Sequence, residues 1–426
     1  MIKNKKIIII GFGKEGAAAA KFLEPTNKIT VYDDKEKNRI KRGERFDLIV
    51  RSPGVRPDHP LIKKLTKDGT VLTSPTQIFF DLCPCPIIAV TGTKGKGTTS
   101  TLIYEMLKTE NKNVFLAGNI GTPALEILPK LNKKSLVVLE LSSFQLMDLA
   151  KSPHIAVVLM ITQEHLDWHK NKKEYLLAKM PIVKYQNKND FAVINWDFPN
   201  SRNFADFTQA KVISVSTQGQ TDSCISDNKL MFKKEIVASV SDVLLPGRHN
   251  IQNILAAIAV VKIYKIKNEN IKKVLTSFKG LDHRLQLIHA VNGVKYYNDS
   301  FSTTPETTIA AIEAFPQPKI LILGGSSKNS NFSNLARKIA GDKSIKGIIL
   351  IGKEAERIKD SIKKAGGFDD KMIEGAKNMQ QIAPMAQNLA RSGDIVILSP
   401  ACASFDMFKN YEDRGRQFIT EVNKLR

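Results

Sequence analysis

Short apolar runs, each closed by small or polar residues, recur along the chain. Ile7–Ile10, Ile87–Val90, Leu136–Leu139, Ile155–Met160, Ile320–Leu323, Ile348–Ile351 and Ile395–Leu398 show no period-two alternation. That is the pattern of strands covered on both faces, as in parallel sheets. Weaker strand patterns lie at Ile29–Tyr32, Leu48–Val50, Phe191–Ile194, Lys211–Ser214 and Val294–Tyr297, with a turn-rich hairpin region near 215–240. Ala117–Pro123 reads as a turn that places Asn119 near the central sheet. Helical patterns alternate with the strands: an alanine-rich one through Leu23, then Leu102–Lys108, Ile254–Tyr264 and one ending near Phe315. Strand and helix alternate from end to end, so the chain is expected to be α/β with open, mostly parallel sheets. Its 426 residues exceed what one core supports, and two or three domains are expected.

The chemistry gathers where strands end. The run ending at Thr91 feeds Gly92-Thr93-Lys94-Gly95-Lys96-Gly97-Thr98-Thr99, and a helical pattern follows. A glycine-rich strand-to-helix turn points backbone N–H groups and the helix dipole at one spot, which suits phosphate. The dipole supplies at most ~2 kcal/mol, so a triphosphate also needs Lys96 and a metal. The match to a P-loop is imperfect, because Val90 stands where the first glycine belongs and Gly97 replaces the hydroxyl residue after the lysine. An ordinary glycine-rich turn is the alternative.

Glu140 ends a neighbouring strand and is a Mg²⁺ candidate, the alternative being a carboxylate near a helix N-terminus. His165 follows a third strand end; alone it would read as a hydrogen-bonded structural histidine. Lys179 falls on a helix, where a lysine is normally solvated. Asn250 and Asn253, spaced i and i+3, can share one helix face. Near the N-terminus, Gly11-Phe12-Gly13-Lys14-Glu15-Gly16 followed by Asp33 suggests a Rossmann-like nucleotide or sugar-nucleotide domain, a weak motif when taken alone. Ser52-Pro53-Gly54 closes another strand at the rim where ligands of such sheets sit.

Composition narrows the field. The balance of 64 basic and 42 acidic residues gives +22, yet the lysines are scattered without an aromatic-interleaved stripe. A solvated surface is the expectation, with no nucleic-acid partner. Cys83, Cys85, Cys224 and Cys402 make no disulfide framework, and Cys83-Pro84-Cys85-Pro86 reads as linker. No apolar run approaches the ~20 residues of a membrane span. The expectation is a cytoplasmic protein with no membrane insertion.

Taken together, Thr91–Lys96, Gly118-Asn119-Ile120-Gly121, Glu140–Gln145, His249–Asn253, Asp282-His283-Arg284, Asn298-Asp299-Ser300 and Ser399–Asp406 resemble the Mur ligases, in the family's order across the whole chain. The resemblance implies three domains: Rossmann-like and binding the UDP substrate over 1–85, P-loop ATPase-type α/β over 86–280, and Rossmann-like and binding the amino acid over 281–426. It implies a monomer that makes an amide bond at the expense of ATP, through an acyl phosphate, in peptidoglycan-precursor synthesis. The implied substrates are UDP-N-acetylmuramoyl-L-alanine and D-glutamate, with L-glutamate as the alternative.

By the same resemblance, Gly92, Thr93, Lys94, Gly95, Lys96, Gly97, Thr98, Thr99, Asn250, Asn253, Arg284 and Asp299 would contact ATP. Thr98 and Glu140 would hold one Mg²⁺, and His165 with a carbamylated Lys179 a second; Lys96, His165 and Lys179 are the implied catalytic residues. Lys14, Glu15, Asp33 and Gly54 would bind the uridine diphosphate, and Asn119, Ser142 and Gln145 the muramoyl-alanine. Thr303, Lys328, Ser404 and Tyr411 would receive the amino acid. Two positions depart from the family: Gly97, and Phe301 where a lysine commonly follows Asn-Asp-Ser. Readings from other classes are a non-catalytic nucleotide-binding module and, from the first glycine motif, a nicotinamide-dependent oxidoreductase.

Overall fold

The computed structural model describes residues 2–34, 44–110, 113–162, 168–327, 330–367 and 371–426. Three sheets follow one another along the chain. The first has four parallel strands in the order Lys28–Tyr32, Lys6–Ile10, Leu48–Arg51, Val71–Thr73. Ile7, Ile8 and Ile9 are fully buried, as an uninterrupted apolar run in a central strand requires.

The second sheet has nine strands, and Ile87–Thr91, third from one edge, lies between Ile155–Val158 and Leu136–Glu140. Val114–Gly118 forms one edge, and the Ser223–Ser226, Lys229–Phe232 and Glu235–Ser239 meander closes the other. Ala117 and Gly118 therefore end a strand, and the expected turn begins only after Gly118. Three of that strand's five residues are half-buried, so the apolar signal is diluted.

The third sheet has six strands in the order Gln286–Val291, Val294–Asn298, Ile395–Leu398, Lys319–Gly324, Ile345–Ile351, Met372–Ile373. All its pairs are parallel except the first hairpin. By contact density the chain divides into two compact units. One holds Met1–Val243 and His249–Thr276, and with them both the first and the second sheets; the other holds Leu244–Arg248 and Ser277–Arg426. All four cysteines are free thiols. Among the described residues no helix is long and apolar enough to cross a membrane.

Candidate functional site

From strand Ile87–Thr91 the chain moves to one side of that strand for Val114–Gly118 and Leu136–Glu140, then returns to its other side for Ile155–Val158. Such a reversal opens a crevice beyond the carboxyl ends of the strands. The glycine-rich loop lies there. It ends at Gly95, whose φ of +87° is the left-handed turn into helix Lys96–Lys108. The helix starts well before its apolar pattern at Leu102, because Gly97, Thr98, Thr99, Ser100 and Thr101 form its first turns without an apolar stripe.

Lys96 Nζ donates to the carbonyls of Gly92 and Thr93 at 3.0 Å each. The Thr93 hydroxyl lies 3.0 Å from Tyr175 OH and accepts from Thr162 N at 2.9 Å. Lys94 is exposed, Thr98 half-buried and Thr99 buried. Asn253, in helix Arg248–Ile263, faces the loop: a Cβ on Gly95 would come within 2.1 Å of its Oδ1. Its Nδ2 donates to Asn250 Oδ1 at 3.1 Å, so the two asparagines do share a face.

Glu140 pairs with Val90 across the sheet and is 4% exposed. Asn119 donates to it twice, from Nδ2 to Oε1 at 2.8 Å and from N to the main-chain oxygen at 2.9 Å. Lys179 corrects the expectation of a solvated helix lysine. It follows helix Lys172–Leu177, is 1% exposed, and donates to Thr91 Oγ1 and Gly92 O at 3.3 Å each, with Nζ 4.8 Å above the Tyr175 ring. His165 lies outside the described residues, as does Lys328.

Around the first sheet, Asp33 Oδ2 accepts from Phe12 N at 2.7 Å, closing the Gly11–Gly16 loop onto the second strand end. Lys14 is exposed at the start of helix Lys14–Leu23. Gly54 O accepts from Trp168 Nε1 at 3.1 Å. Ser142 and Gln145 form a capping box on the short helix Ser143–Leu146, and Gln145 Nε2 donates to Glu15 at 2.9 Å. Burial lifts the Glu15 carboxyl to about 7.

In the second unit, Asp299 is buried and held by Leu285 N at 3.1 Å and Ser399 Oγ at 2.7 Å; burial raises it to about 6, against those bonds and the nearby Arg284. Thr303 is half-buried and Ser404 buried. Tyr411 O accepts from Ser300 Oγ at 2.8 Å, and burial pushes the Tyr411 phenol to about 12.

Three residues escaped sequence reasoning. Arg51, fully buried, bonds Asp148 and the carbonyls of Ser52, Pro53, Val55 and Phe144. Arg414, also fully buried, donates to Ser300 Oγ and to the carbonyls of Ser300, Cys402 and Ala403. Tyr175 floors Lys179. A lone arginine or tyrosine carries no sequence signal for such a place, since its acceptors come from distant segments.

Family models place a Mur ligase middle domain over residues 90–261 and a Mur ligase, glutamate ligase domain over 283–402. The chain is 38% identical to the UDP-N-acetylmuramoylalanine--D-glutamate ligase of Acetivibrio thermocellus, covering 100% of this chain and 97% of that one. To the same-named protein of Clostridium botulinum it is 37% identical, covering 100% and 98%. The chain belongs to the Mur ligase family. The fold agrees with solved Mur ligases. MurF of Thermotoga maritima in complex with ADP matches with TM-score 0.62 at 18% identity, over 99% of this chain and 96% of that one. MurC of Thermotoga maritima matches with TM-score 0.62 at 16% identity, over 99% and 100%. The Mur ligase middle-domain match takes in the glycine-rich loop, Asn119, Glu140, Lys179 and Asn253.

Proposed function

We propose that this Mur ligase joins D-glutamate to UDP-N-acetylmuramoyl-L-alanine, consuming ATP and releasing ADP and phosphate. The observation that carries the reading is full-length identity of 37–38% to proteins named for that reaction. The arrangement of Lys96, Glu140 and Lys179 about one strand end supports it. ATP supplies the phosphoryl group that turns the alanyl carboxylate into an acyl phosphate, whose phosphate the glutamate amine then displaces.

This chain's residues meet the charge those steps create. Gly92, Thr93, Lys94, Gly95, Gly97, Thr98 and Thr99 are proposed to hold the phosphates through the loop and the helix start, with Lys96 swinging from its carbonyls to the β- and γ-oxygens. Asn250, Asn253, Arg284 and Asp299 are proposed as further nucleotide contacts. Removing one preorganised donor of this kind typically costs ~10²–10³ in rate.

For Mg²⁺ the donor set is spare. Among the described residues no three His, Cys, Asp or Glu side chains are grouped to hold a metal. The fit is still acceptable, because Mg²⁺ commonly keeps several waters and takes one or two carboxylates beside substrate phosphates. Glu140 and Thr98 are proposed for one ion, and His165 with carbamylated Lys179 for a second. Carbamylation suits the Lys179 pocket, since it exchanges a buried ammonium for an oxygen ligand. Lys14, Glu15, Asp33 and Gly54 are proposed to bind the uridine diphosphate, and Asn119, Ser142 and Gln145 the muramoyl-alanine. Thr303, Lys328, Ser404 and Tyr411 are proposed for glutamate.

Phosphate release from ATP is expected only when UDP-N-acetylmuramoyl-L-alanine and D-glutamate are both present. Steady release without either substrate overturns the reading. Phe301-Ser302-Thr303-Thr304-Pro305 favours testing L-glutamate beside D-glutamate, and turnover with the L isomer alone would reassign the amino acid.

A further inference from the structure

Helix Arg248–Ile263 carries Asn250 and Asn253, yet its own pattern says little about how it is turned. From Asn253 to Val261 every residue is buried. Contacts between apolar surfaces are non-directional, so they hold such a helix in place without fixing which residue faces the glycine-rich loop. A directional bond near its first turn does that.

Gln252 supplies one. Its Nε2 donates to Asp197 Oδ2 at 2.9 Å. Asp197 lies just beyond strand Phe191–Asn195, and Thr217 just beyond Lys211–Ser216. Both strands run parallel to Ile155–Val158 and Ile87–Thr91, so these positions share the rim of the glycine-rich loop. The carboxylate is itself firmly held. Thr217 donates to Oδ2 from N at 3.0 Å and from Oγ1 at 2.8 Å, Ser216 Oγ donates to Oδ1, and Asp197 N donates to Asn195 Oδ1 at 2.9 Å. Burial works to raise the Asp197 pKa, but the bonds from Ser216, Thr217 and Gln252 outweigh it and hold the carboxyl below its ordinary value. It is therefore an ionised acceptor at neutral pH, and bonds to such a group are the stronger kind.

The anchor also falls where the helix needs it. The chain reaches this helix through Leu244–Arg248, which belong to the other compact unit, and rejoins the first unit at His249. Gln252 lies within one turn of that return. Asn253 comes next, about 100° further round the helix, so the bond that fixes Gln252 also fixes the direction of Asn253. That direction is toward Gly95, where a Cβ would stand 2.1 Å from Asn253 Oδ1.

We propose that Asp197 and Gln252 are positioning residues for the nucleotide: the carboxylate holds Gln252, and through it the first turns of the helix, so that the Asn253 amide stands against the phosphate loop at Gly95. This rests on the reading of Asn253 as a nucleotide contact. The test compares Gln252→Leu, Asp197→Ala, Asp197→Asn, Asn253→Ala and the Gln252→Leu/Asn253→Ala double variant. Calorimetric binding of ADP, the thermal midpoint, and KM and kcat for ATP, the precursor and glutamate are measured for each.

Gln252→Leu is expected to raise the Kd for ADP and the KM for ATP about fivefold, the size of one hydrogen bond. The KM values for the precursor and glutamate should hold. Asp197→Ala should weaken the nucleotide equally and also lower the thermal midpoint, because Ser216 and Thr217 lose their acceptor. Asp197→Asn keeps an acceptor for Gln252 and should recover most of the lost affinity. If the alanine protein does not fold, Gln252→Leu still decides, since it leaves the bonds from Ser216 and Thr217 in place. In the Asn253→Ala background the leucine should add less than about twofold, because interacting residues are not additive. Unchanged ADP affinity in Gln252→Leu, an equal loss without Asn253, or a rise spread evenly over all three KM values each overturns the proposal. An Asn253→Ala protein that binds ADP as tightly as the parent overturns the contact reading itself, and the positioning with it. Calorimetry keeps these outcomes apart from the ligase reading, since ADP binding can be measured even if no ligation occurs.

Discussion

Gln145 clasps Glu15: its Nε2 donates to Glu15 Oε1 over 2.9 Å, while its Oε1 accepts from Ser142 N and Ser142 Oγ at 3.0 Å each. A residue in the first turn of a four-residue helix thus reaches the glycine loop of the first sheet. The clasp should be sensitive to pH. Burial raises the Glu15 carboxyl from 4.5 to about 7, against the lowering effect of the Gln145 bond. Below pH 4.5 the folded and unfolded states both hold the proton. As pH rises toward 7 the unfolded chain releases it first, so this contribution to stability falls across that window and is gone above it. Glu15→Gln keeps an acceptor for Gln145 and abolishes the titration. It is expected to stabilise by about 1–3 kcal/mol at high pH and by almost nothing in acid. Urea midpoints of variant and parent at pH 4 and pH 8 check this, and an equal shift at both would refute it.

Arg51 offers a second test. Its guanidinium serves Asp148 and four carbonyls, two of them Pro53 O at 3.2 Å and Phe144 O at 3.0 Å. It ties the third strand of the first sheet to the segment after Glu140. Arg51→Ala leaves that group of acceptors buried and unpaired and should destabilise by ~3–5 kcal/mol. Arg51→Lys keeps the charge but offers three donors on one nitrogen, and should recover less than half. Denaturant unfolding followed by tryptophan fluorescence reads both, Trp168 lying against Gly54.

These two residues show what sequence can and cannot carry. Ile7–Ile10, Ile87–Val90 and Leu136–Leu139 were legible because a strand buried on both faces must be apolar throughout. Gln286–Val291 was not, because it is an antiparallel edge strand with only Val291 buried. The early helix start at Lys96 was hidden by threonines and glycine, which form a helix there because the loop sets its first turn. In the site, residues at strand ends were readable from position: Glu140, Asn119 and the glycine loop do gather about Ile87–Thr91. The burial of Lys179, Arg51 and Arg414 was not readable, because a charged side chain is buried only where distant segments supply its acceptors. Lys179 owes its candidacy to family resemblance alone, and the pocket beneath it appears only in three dimensions.

That pocket makes a third prediction. Lys179 Nζ is enclosed by Thr91 Oγ1, Gly92 O and the Tyr175 ring. Lys179→Met replaces a buried charge with an apolar chain of similar length, so the thermal midpoint should hold or rise. Phosphate release should fall at least ~100-fold if the carbamate serves the transition state. Parent activity should also drop in buffer stripped of carbon dioxide and return with bicarbonate. Activity within tenfold of the parent in Lys179→Met would remove Lys179 from the catalytic set.

Gly95 and Asn253 permit the sharpest test of the loop. At φ of +87° any side chain is strained, and a Cβ would stand 2.1 Å from Asn253 Oδ1 and 3.0 Å from Asn253 Cγ. The Asn253 amide is held by Asn250, so it can yield only by breaking that bond. Gly95→Ala should therefore distort the phosphate loop at a cost of about 1–3 kcal/mol, seen as a rise of about tenfold or more in the KM for ATP. Gly219, with no positive φ and open space for 4 Å around the point a methyl would occupy, provides the control, and Gly219→Ala should be neutral. Asn253→Ala removes the clashing amide. If contact with Asn253 is what excludes a side chain at position 95, Gly95→Ala should cost much less in the Asn253→Ala background than alone. Equal costs in both backgrounds would assign the whole effect to backbone strain at Gly95.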